Sequence, residues 1–287
     1  MNPNATVSKT RKGNTRVTGK EQYYTPPELA SRLVESVAKV VGDFDKRVVV
    51  EPAGGTGSFV EASERLGATV LSLDIEPKHP RVKLGNFLTT ELNAHRAITI
   101  SNPPFGRNNS LSIPFFNKAA EFSDYIAFIV PKSWRKWSVQ NRLDRNFHLI
   151  KDEDLTLNYV DASGTELSDR RLLATSFQIW QRKDSLRELV HVEDLGLIKK
   201  CSPEDADVAL TLFGFGCGTV LTEFERKPNT TRMFLKLQHP KALKALQSVD
   251  FSRFSKNTAY TPALSLPEIN YLLNEHIFGD PKLVREN

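Results

Sequence analysis

Asn102-Pro103-Pro104-Phe105 closes the apolar run Ala97-Ile98-Thr99-Ile100-Ser101, and its residue types suit one kind of chemistry. Each proline fixes its own φ, lacks an N–H and restricts the residue before it to extended backbone. Asn102 and Pro103 therefore turn their carbonyls away from any strand ladder. An amide oxygen, a backbone carbonyl and an aromatic face then stand within one rigid turn. Such a set can hold a planar ring that carries an NH2 group. A plain structural turn is the alternative, because Asn and Pro are ordinary turn residues.

A second motif narrows the choice. Arg47-Val48-Val49-Val50 predicts a strand, followed by the glycine-rich Glu51-Pro52-Ala53-Gly54-Gly55-Thr56-Gly57-Ser58-Phe59 and an amphipathic stretch to Leu66. Strand, glycine turn and helix together are how an open α/β sheet presents a nucleoside cofactor at the carboxyl ends of its strands. Gly54, Gly55 and Gly57 let the backbone approach a ligand closely. The spacing is not the dinucleotide pattern G-x-G-x-x-G, and no Lys-Ser/Thr follows to make a phosphate loop. Further on, Leu71-Ser72-Leu73-Asp74-Ile75 predicts a second strand ending in an acid, which suits the two hydroxyls of a ribose.

Four motifs now stand in order: Gln22-Tyr23-Tyr24-Thr25-Pro26-Pro27 ahead of a helix, Glu51 to Phe59, Asp74-Ile75, and Asn102 to Phe105. In these the chain resembles the S-adenosylmethionine-dependent amino-group methyltransferases, most closely the N6-adenine DNA methyltransferases in their gamma arrangement. The resemblance covers roughly residues 20 to 183. It implies S-adenosyl-L-methionine as cofactor, with Tyr24, Thr25 and Pro26 at its methionine end. Glu51, Pro52, Ala53 and the glycines would line its amino-acid and ribose portions, Asp74 would take the ribose hydroxyls, and Ile75 would lie against the adenine. Gly85-Asn86-Phe87 falls where such enzymes often carry an acid that reads the cofactor's exocyclic amine. Asn86 departs from that pattern but can accept through its side-chain oxygen.

For the reaction, the resemblance implies that Asn102 Oδ1 and the Pro103 carbonyl hold the amine hydrogens of a flipped adenine. Pro104 would stiffen the turn and Phe105 would stack on the base. Methyl transfer then rests on proximity and orientation, with no general base required. Three other readings share these residues. An RNA adenine-N6 methyltransferase could use the same turn, and the hundred or so residues after the catalytic part are what favour double-stranded DNA. A protein-glutamine N-methyltransferase more often has Tyr as its aromatic. An inactive nucleic-acid-binding module with this fold would have little need of Glu51, Gly55, Gly57, Asp74 and Asn102.

The elements that must position these groups follow from periodicity. Residues 27 to 41 have helical apolar spacing with Pro in the first turn. Strands are expected near 47–50, 69–73, 82–84, 97–100 and 125–130, with a closing pair near 146–150 and 173–181 around a loop at 161–169. The expected fold is α/β: a Rossmann-like methyltransferase sheet, mostly parallel with its last strand antiparallel, and a smaller C-terminal α+β target-recognition region. Residues 1–20 would be a flexible basic arm, 21–183 the catalytic domain and 184–287 the recognition domain. In the last, strands are expected at 207–218, 220–224 and 231–237, and helices at 240–247 and 266–277. Gly214, Gly216 and Gly218 predict a turn or bulge rather than a second cofactor loop.

Charge and composition agree. The 287 residues are 39% hydrophobic with a net charge of +5, which suits a globular protein with a polyanionic partner. Pro131 to Arg145 holds the cations Lys132, Arg135, Lys136, Arg142 and Arg145 around Trp134 and Trp137, directly after a strand. Cations there could neutralise phosphates while the indoles stack beside a displaced base. The alternative is an amphipathic helix using its tryptophans as core. Arg232 and Lys236, within a basic cluster that includes Arg226, Lys227, Lys241 and Lys244, are expected to meet phosphates or base edges. Cys201 and Cys217 lack C-x-x-C spacing and the six histidines are scattered, so no metal site is expected. With no apolar run long enough for a membrane span and no signal core, the expectation is a cytoplasmic, nucleoid-associated enzyme, phage- or mobile-element-encoded, acting as a monomer or weak dimer.

Overall fold

Prolines and glycines set the ends of the first helix. In the computed structural model, which describes residues 24–155 and 174–286, α1 (Pro27–Val41) starts with Pro in its first turn, where a missing N–H costs nothing. Ala30, Leu33, Val34 and Val37 form its buried stripe, and Gly42 ends it with a φ of 80° and an N–H donated to the Ala38 carbonyl. The predicted basic arm at 1–20 and the loop at 161–169 lie outside the described residues.

After α1 the chain alternates: β1 (Val48–Glu51), α2 (Ser58–Arg65), β2 (Thr69–Asp74), β3 (Lys83–Leu84), β4 (Ala97–Ser101), α3 (Ser112–Ala119) and β5 (Ser123–Pro131). A short helix α4 (Trp137–Gln140) leads to β6 (Phe147–Leu155) and β7 (Thr175–Arg182). The seven strands form one sheet in the order β3-β2-β1-β4-β5-β7-β6, and β7 alone runs antiparallel to its neighbours. This is the expected Rossmann-like sheet, mostly parallel with its last strand antiparallel.

Both faces of the sheet are covered, so its central strands are buried in near-continuous runs rather than alternately. Ile98, Ile100, Ala127 and Ile129 pack with the α1 stripe and with Phe59 and Ala62 of α2. On the other face, the Phe116 ring of α3 makes edge contacts with Phe128, Trp134, Phe147 and Trp180 at centroid distances of 5.5–6.2 Å. Such pairs add about 0.5–1.5 kcal/mol each beyond the area they bury. The result is a rigid floor. Strand order reverses between β1 and β4, the switch point where open α/β sheets bind ligands at the carboxyl ends of their strands.

The C-terminal part has its own core. Strands β8 (Leu189–Val192), β9 (Ile198–Lys200), β10 (Val208–Thr211), β11 (Val220–Leu221) and β12 (Arg232–Leu237) precede α5 (Ala242–Ser248), α6 (Ser252–Ser255), α7 (Leu266–Phe278) and β13 (Leu283–Glu286). A four-stranded antiparallel sheet runs β11-β10-β12-β9, while β8 pairs with β13. Ile198, Val208, Leu210 and Leu235 pack against Ala245, Leu246, Ile269 and Leu272. The extended segment expected at 207–218 is cut short: β10 ends at Thr211, because Gly214, Gly216 and Gly218 take φ values of 94°, 87° and 94° and turn the chain.

Candidate cofactor and catalytic site

Glu51 ends β1 and Ser101 ends the neighbouring β4, so the sheet register sets their side chains together. The Ser101 hydroxyl donates to Glu51 Oε1 at 2.6 Å, and the Ala53 N–H donates to the same oxygen at 2.9 Å. Glu51 is 1% exposed. Burial pushes its carboxyl up to about 8, although both hydrogen bonds pull it down. Asn102, half-buried, is the next residue after Ser101, and Pro103 is buried behind it.

The glycine turn is built for close approach. A Cβ at Gly54 would stand 2.2 Å from Ser72 Oγ, one at Gly55 2.8 Å from the Tyr24 ring, and one at Gly57 2.5 Å from the His79 ring. Gly55 and Gly57 also have positive φ, 45° and 83°. The Lys78 N–H donates to the Gly55 carbonyl and the Gly54 N–H to the Leu73 carbonyl, which fastens the turn to β2. Tyr24 thus walls the turn from the α1 side. Next to it, Thr25 Oγ1 is buried without a hydrogen-bond partner among the described residues.

Asp74 at the end of β2 faces the same turn: its Oδ2 accepts from the Gly55 N–H and its Oδ1 from the Glu76 N–H, each at 2.8 Å. Carboxylate oxygens carry further lone pairs, so these bonds orient the group and leave acceptor capacity for hydroxyls. Ile75 follows, 63% exposed, an apolar platform beside a ribose-type acceptor. Buried acid, orphan hydroxyl, glycine cradle, oriented carboxylate and exposed isoleucine fit a nucleoside that bears a cationic amino-acid arm.

One residue predicted for this site does other work, and a second has its side chain partly engaged. Phe87 is 1% exposed and packs on Phe115 and Phe122, so its ring belongs to the core. Asn86 sits at the rim, held by the Gly85 N–H to Asp74 carbonyl bond, but its Oδ1 caps the following turn by accepting the Leu88 N–H. On the catalytic side, the Phe105 carbonyl accepts from the Leu111 and Ser112 N–H groups, closing a tight loop in which Gly106, Asn108 and Asn109 have positive φ. Buried Asn109 ties that loop to Ser133 at 3.2 Å. Asn109, Ser133, Ser101 and His79 were not anticipated. Ser101 adjoins the motif, and the Asn108-Asn109 pair is an ordinary signal for left-handed backbone.

The predicted nucleic-acid loop is corrected most. Trp134 is 0% exposed, in edge contact with Phe116 and donating to Ser112 Oγ, and so cannot stack on a base. Trp137 stacks on Tyr271 at 5.5 Å and meets Phe254, joining the two parts of the chain. Arg135 is held by Asp152 and Asp154, Lys132 by Asp154, and Lys136 by the buried Glu268. Lys236 pairs with Asp207. Partners supplied by β6, β10's approach and α7 already neutralise these cations. Arg142, exposed, and Arg232, half-buried, have no ion pair among the described residues. No group of three or more His, Cys, Asp and Glu gathers as metal ligands among those residues, and no described helix is long and apolar enough to cross a membrane.

The fold is an open, mostly parallel α/β sheet with the candidate residues gathered at its switch point. No family model matches the sequence, and no curated protein does. Among solved structures, the chain is similar to a candidate RNA methyltransferase from Pyrococcus horikoshii, with 23% identity, a TM-score of 0.45, and coverage of 57% of this chain and 87% of that one. It is similar to a candidate class I S-adenosylmethionine-dependent methyltransferase from Listeria monocytogenes at 15% identity, TM-score 0.42, covering 56% and 61%. The 23S rRNA methyltransferase ErmE matches at 14% identity, TM-score 0.38, covering 57% and 71%.

Proposed function

We propose that this chain transfers a methyl group from S-adenosylmethionine to the N6 amine of adenine in DNA. One observation carries the reading: the 2.6 Å bond from Ser101 to Glu51 sets the Asn-Pro-Pro-Phe turn and the glycine cradle side by side at the switch point. When bound, S-adenosylmethionine supplies an electrophilic methyl on a cationic sulfur. Tyr24, Thr25 and Glu51 would hold the amino-acid arm, Asp74 the ribose hydroxyls and Ile75 the cofactor's adenine. Asn102 Oδ1 and the Pro103 carbonyl would take the two hydrogens of the target amine. Held that way, the nitrogen lone pair would be freed from the ring to take the methyl, with the sulfur leaving as a neutral thioether and the amine proton passing to water, while Phe105 would stack on the base. The C-terminal sheet and helices, residues 184–287, would choose the target.

The test is transfer from labelled S-adenosylmethionine to plasmid DNA, total RNA and a protein extract in parallel, digested and resolved by mass. N6-methyladenine in DNA is the expected product. Label confined to RNA, or to glutamine in protein, would move the substrate class and keep the site. No label anywhere would leave a binding module. In the active case, Asn102→Ala should abolish transfer and spare cofactor affinity in calorimetry. Loss of both would remove Asn102 from its role.

A further inference from the structure

Phe215 exposes its whole ring to solvent, at the tip of the segment Phe213-Gly214-Phe215-Gly216-Cys217-Gly218. Phe213 is 51% exposed in the same turn, and Tyr260 is 48% exposed on the neighbouring segment. Exposed apolar rings are usual when scattered, but three on two touching loops need an occupant.

The turn is pinned. Gly218 N–H donates to the Thr211 carbonyl, Thr211 N–H to the Thr219 carbonyl, Thr219 N–H to the Gly216 carbonyl and Cys217 N–H to the Gly214 carbonyl, all within 2.8–3.1 Å. Gly218 also lies so close to Phe251 that a Cβ there would stand 2.8 Å from it. Positive φ at all three glycines fixes the direction in which Phe215 is presented. A ring held ready in this way spends no loop-ordering entropy on contact.

Its place points to the catalytic turn. Gly214 N–H donates to the Pro262 carbonyl, and Phe213 forms an isolated bridge with Ala263. Ala263 receives Lys136 Nζ, and Ala259 accepts the Ala174 N–H, whose own carbonyl accepts from Lys132 at the carboxyl end of β5. Ala259 also packs on the apolar cluster that Phe105 joins. The aromatic turn is therefore tied to the sheet edge that carries Asn102, one strand away. Cations without an ion pair among the described residues flank it: Arg232 opposes Thr211 in the β10–β12 register, and exposed Lys256 follows Ser255, which bonds to Ala263. Aromatic rings between these cations, beside the turn proposed to hold adenine, match a charged stack of bases.

We propose that this loop is a base wedge, with Phe215 entering the stack of double-stranded DNA beside the extracted adenine, Phe213 and Tyr260 supporting it. The inference rests on the adenine reading above and adds how the base leaves the duplex. Extraction removes a base from its stack, and an inserted apolar ring replaces part of the lost contact.

The experiment uses the full chain and short labelled duplexes containing 2-aminopurine, with Phe215→Ala and Phe215→Trp. Phe215 touches solvent alone, so neither change disturbs the core. Phe215→Ala should bind the duplex roughly 5- to 100-fold more weakly and lose the 2-aminopurine signal of unstacking. Phe215→Trp should restore both, and its added indole should be quenched by the duplex. Unchanged affinity in Phe215→Ala, or an unquenched indole, would overturn the wedge. So would a shift from dimer to monomer in sedimentation with duplex affinity intact, which would make the turn a contact between copies. Wild-type protein that methylates DNA while Phe215→Ala is neutral loses only the wedge. Protein that binds DNA through Phe215 without methylating it keeps the wedge and loses the chemistry.

Discussion

Glu51 keeps its proton where most carboxyls have lost theirs, because burial outweighs the Ser101 and Ala53 hydrogen bonds. In the unfolded chain it would ionise near 4.5 and in the folded chain at about 8. Between those values the unfolded state releases a proton that the native state retains, so stability falls as pH rises, by up to about 1.4 kcal/mol per pH unit. Above the window the loss is complete; below it, both states are protonated and the effect vanishes. Glu51→Gln should flatten that slope in denaturant melts across the range. In its proposed role the same residue would govern a cationic ligand. Binding favours the ionised carboxyl, so S-adenosylmethionine affinity should climb with pH up to about 8 and release a proton, visible by calorimetry in buffers of different ionisation enthalpy. Glu51→Gln should lose the Glu51 share of that release, and an unaltered release would assign the proton elsewhere.

At the scale of elements, the glycine turn and the Asn-Pro-Pro-Phe turn were legible because each is local: strand, special residues and helix follow within a dozen positions. The basic loop after β5 was not. Asp152, which holds Arg135, comes 17 residues later on β6, and Glu268, which holds Lys136, comes 132 later on α7. No local pattern reveals such partners. Arg135→Ala should therefore lower thermal stability by about 1 kcal/mol and leave the salt dependence of DNA binding unchanged. A flattened salt slope would return Arg135 to the phosphates. Strands β8 and β13 escaped sequence reading for a related reason. They are short and largely unburied, and Val192 meets Leu283 only after the whole C-terminal sheet has intervened.

Across the whole molecule, the seven-stranded sheet domain meets the C-terminal part through a small set of contacts. Trp137 packs on both Tyr271 and Phe254, Lys136 reaches Glu268, and Asn141 exchanges two hydrogen bonds with the Val190 backbone. The chain should unfold in one calorimetric transition while that joint holds. Trp137→Ala should cost about 2–3 kcal/mol and separate the transition into two. A single, merely lowered transition would place the coupling in the remaining contacts.

Ser101 gives the site a further property. It is the last residue of β4, it precedes the turn that would hold the substrate, and its hydroxyl ends on the acid of the cofactor cradle. Ionising that acid strengthens the hydroxyl's bond, since a charged acceptor holds a donor more tightly than a neutral one. If the two halves bind as proposed, occupancy of one would bear on the other through a single oxygen. By reciprocity, whatever tightened the turn would then favour the cofactor to the same degree, and neither ligand's affinity would be a fixed number until the presence of the other and the pH were both specified.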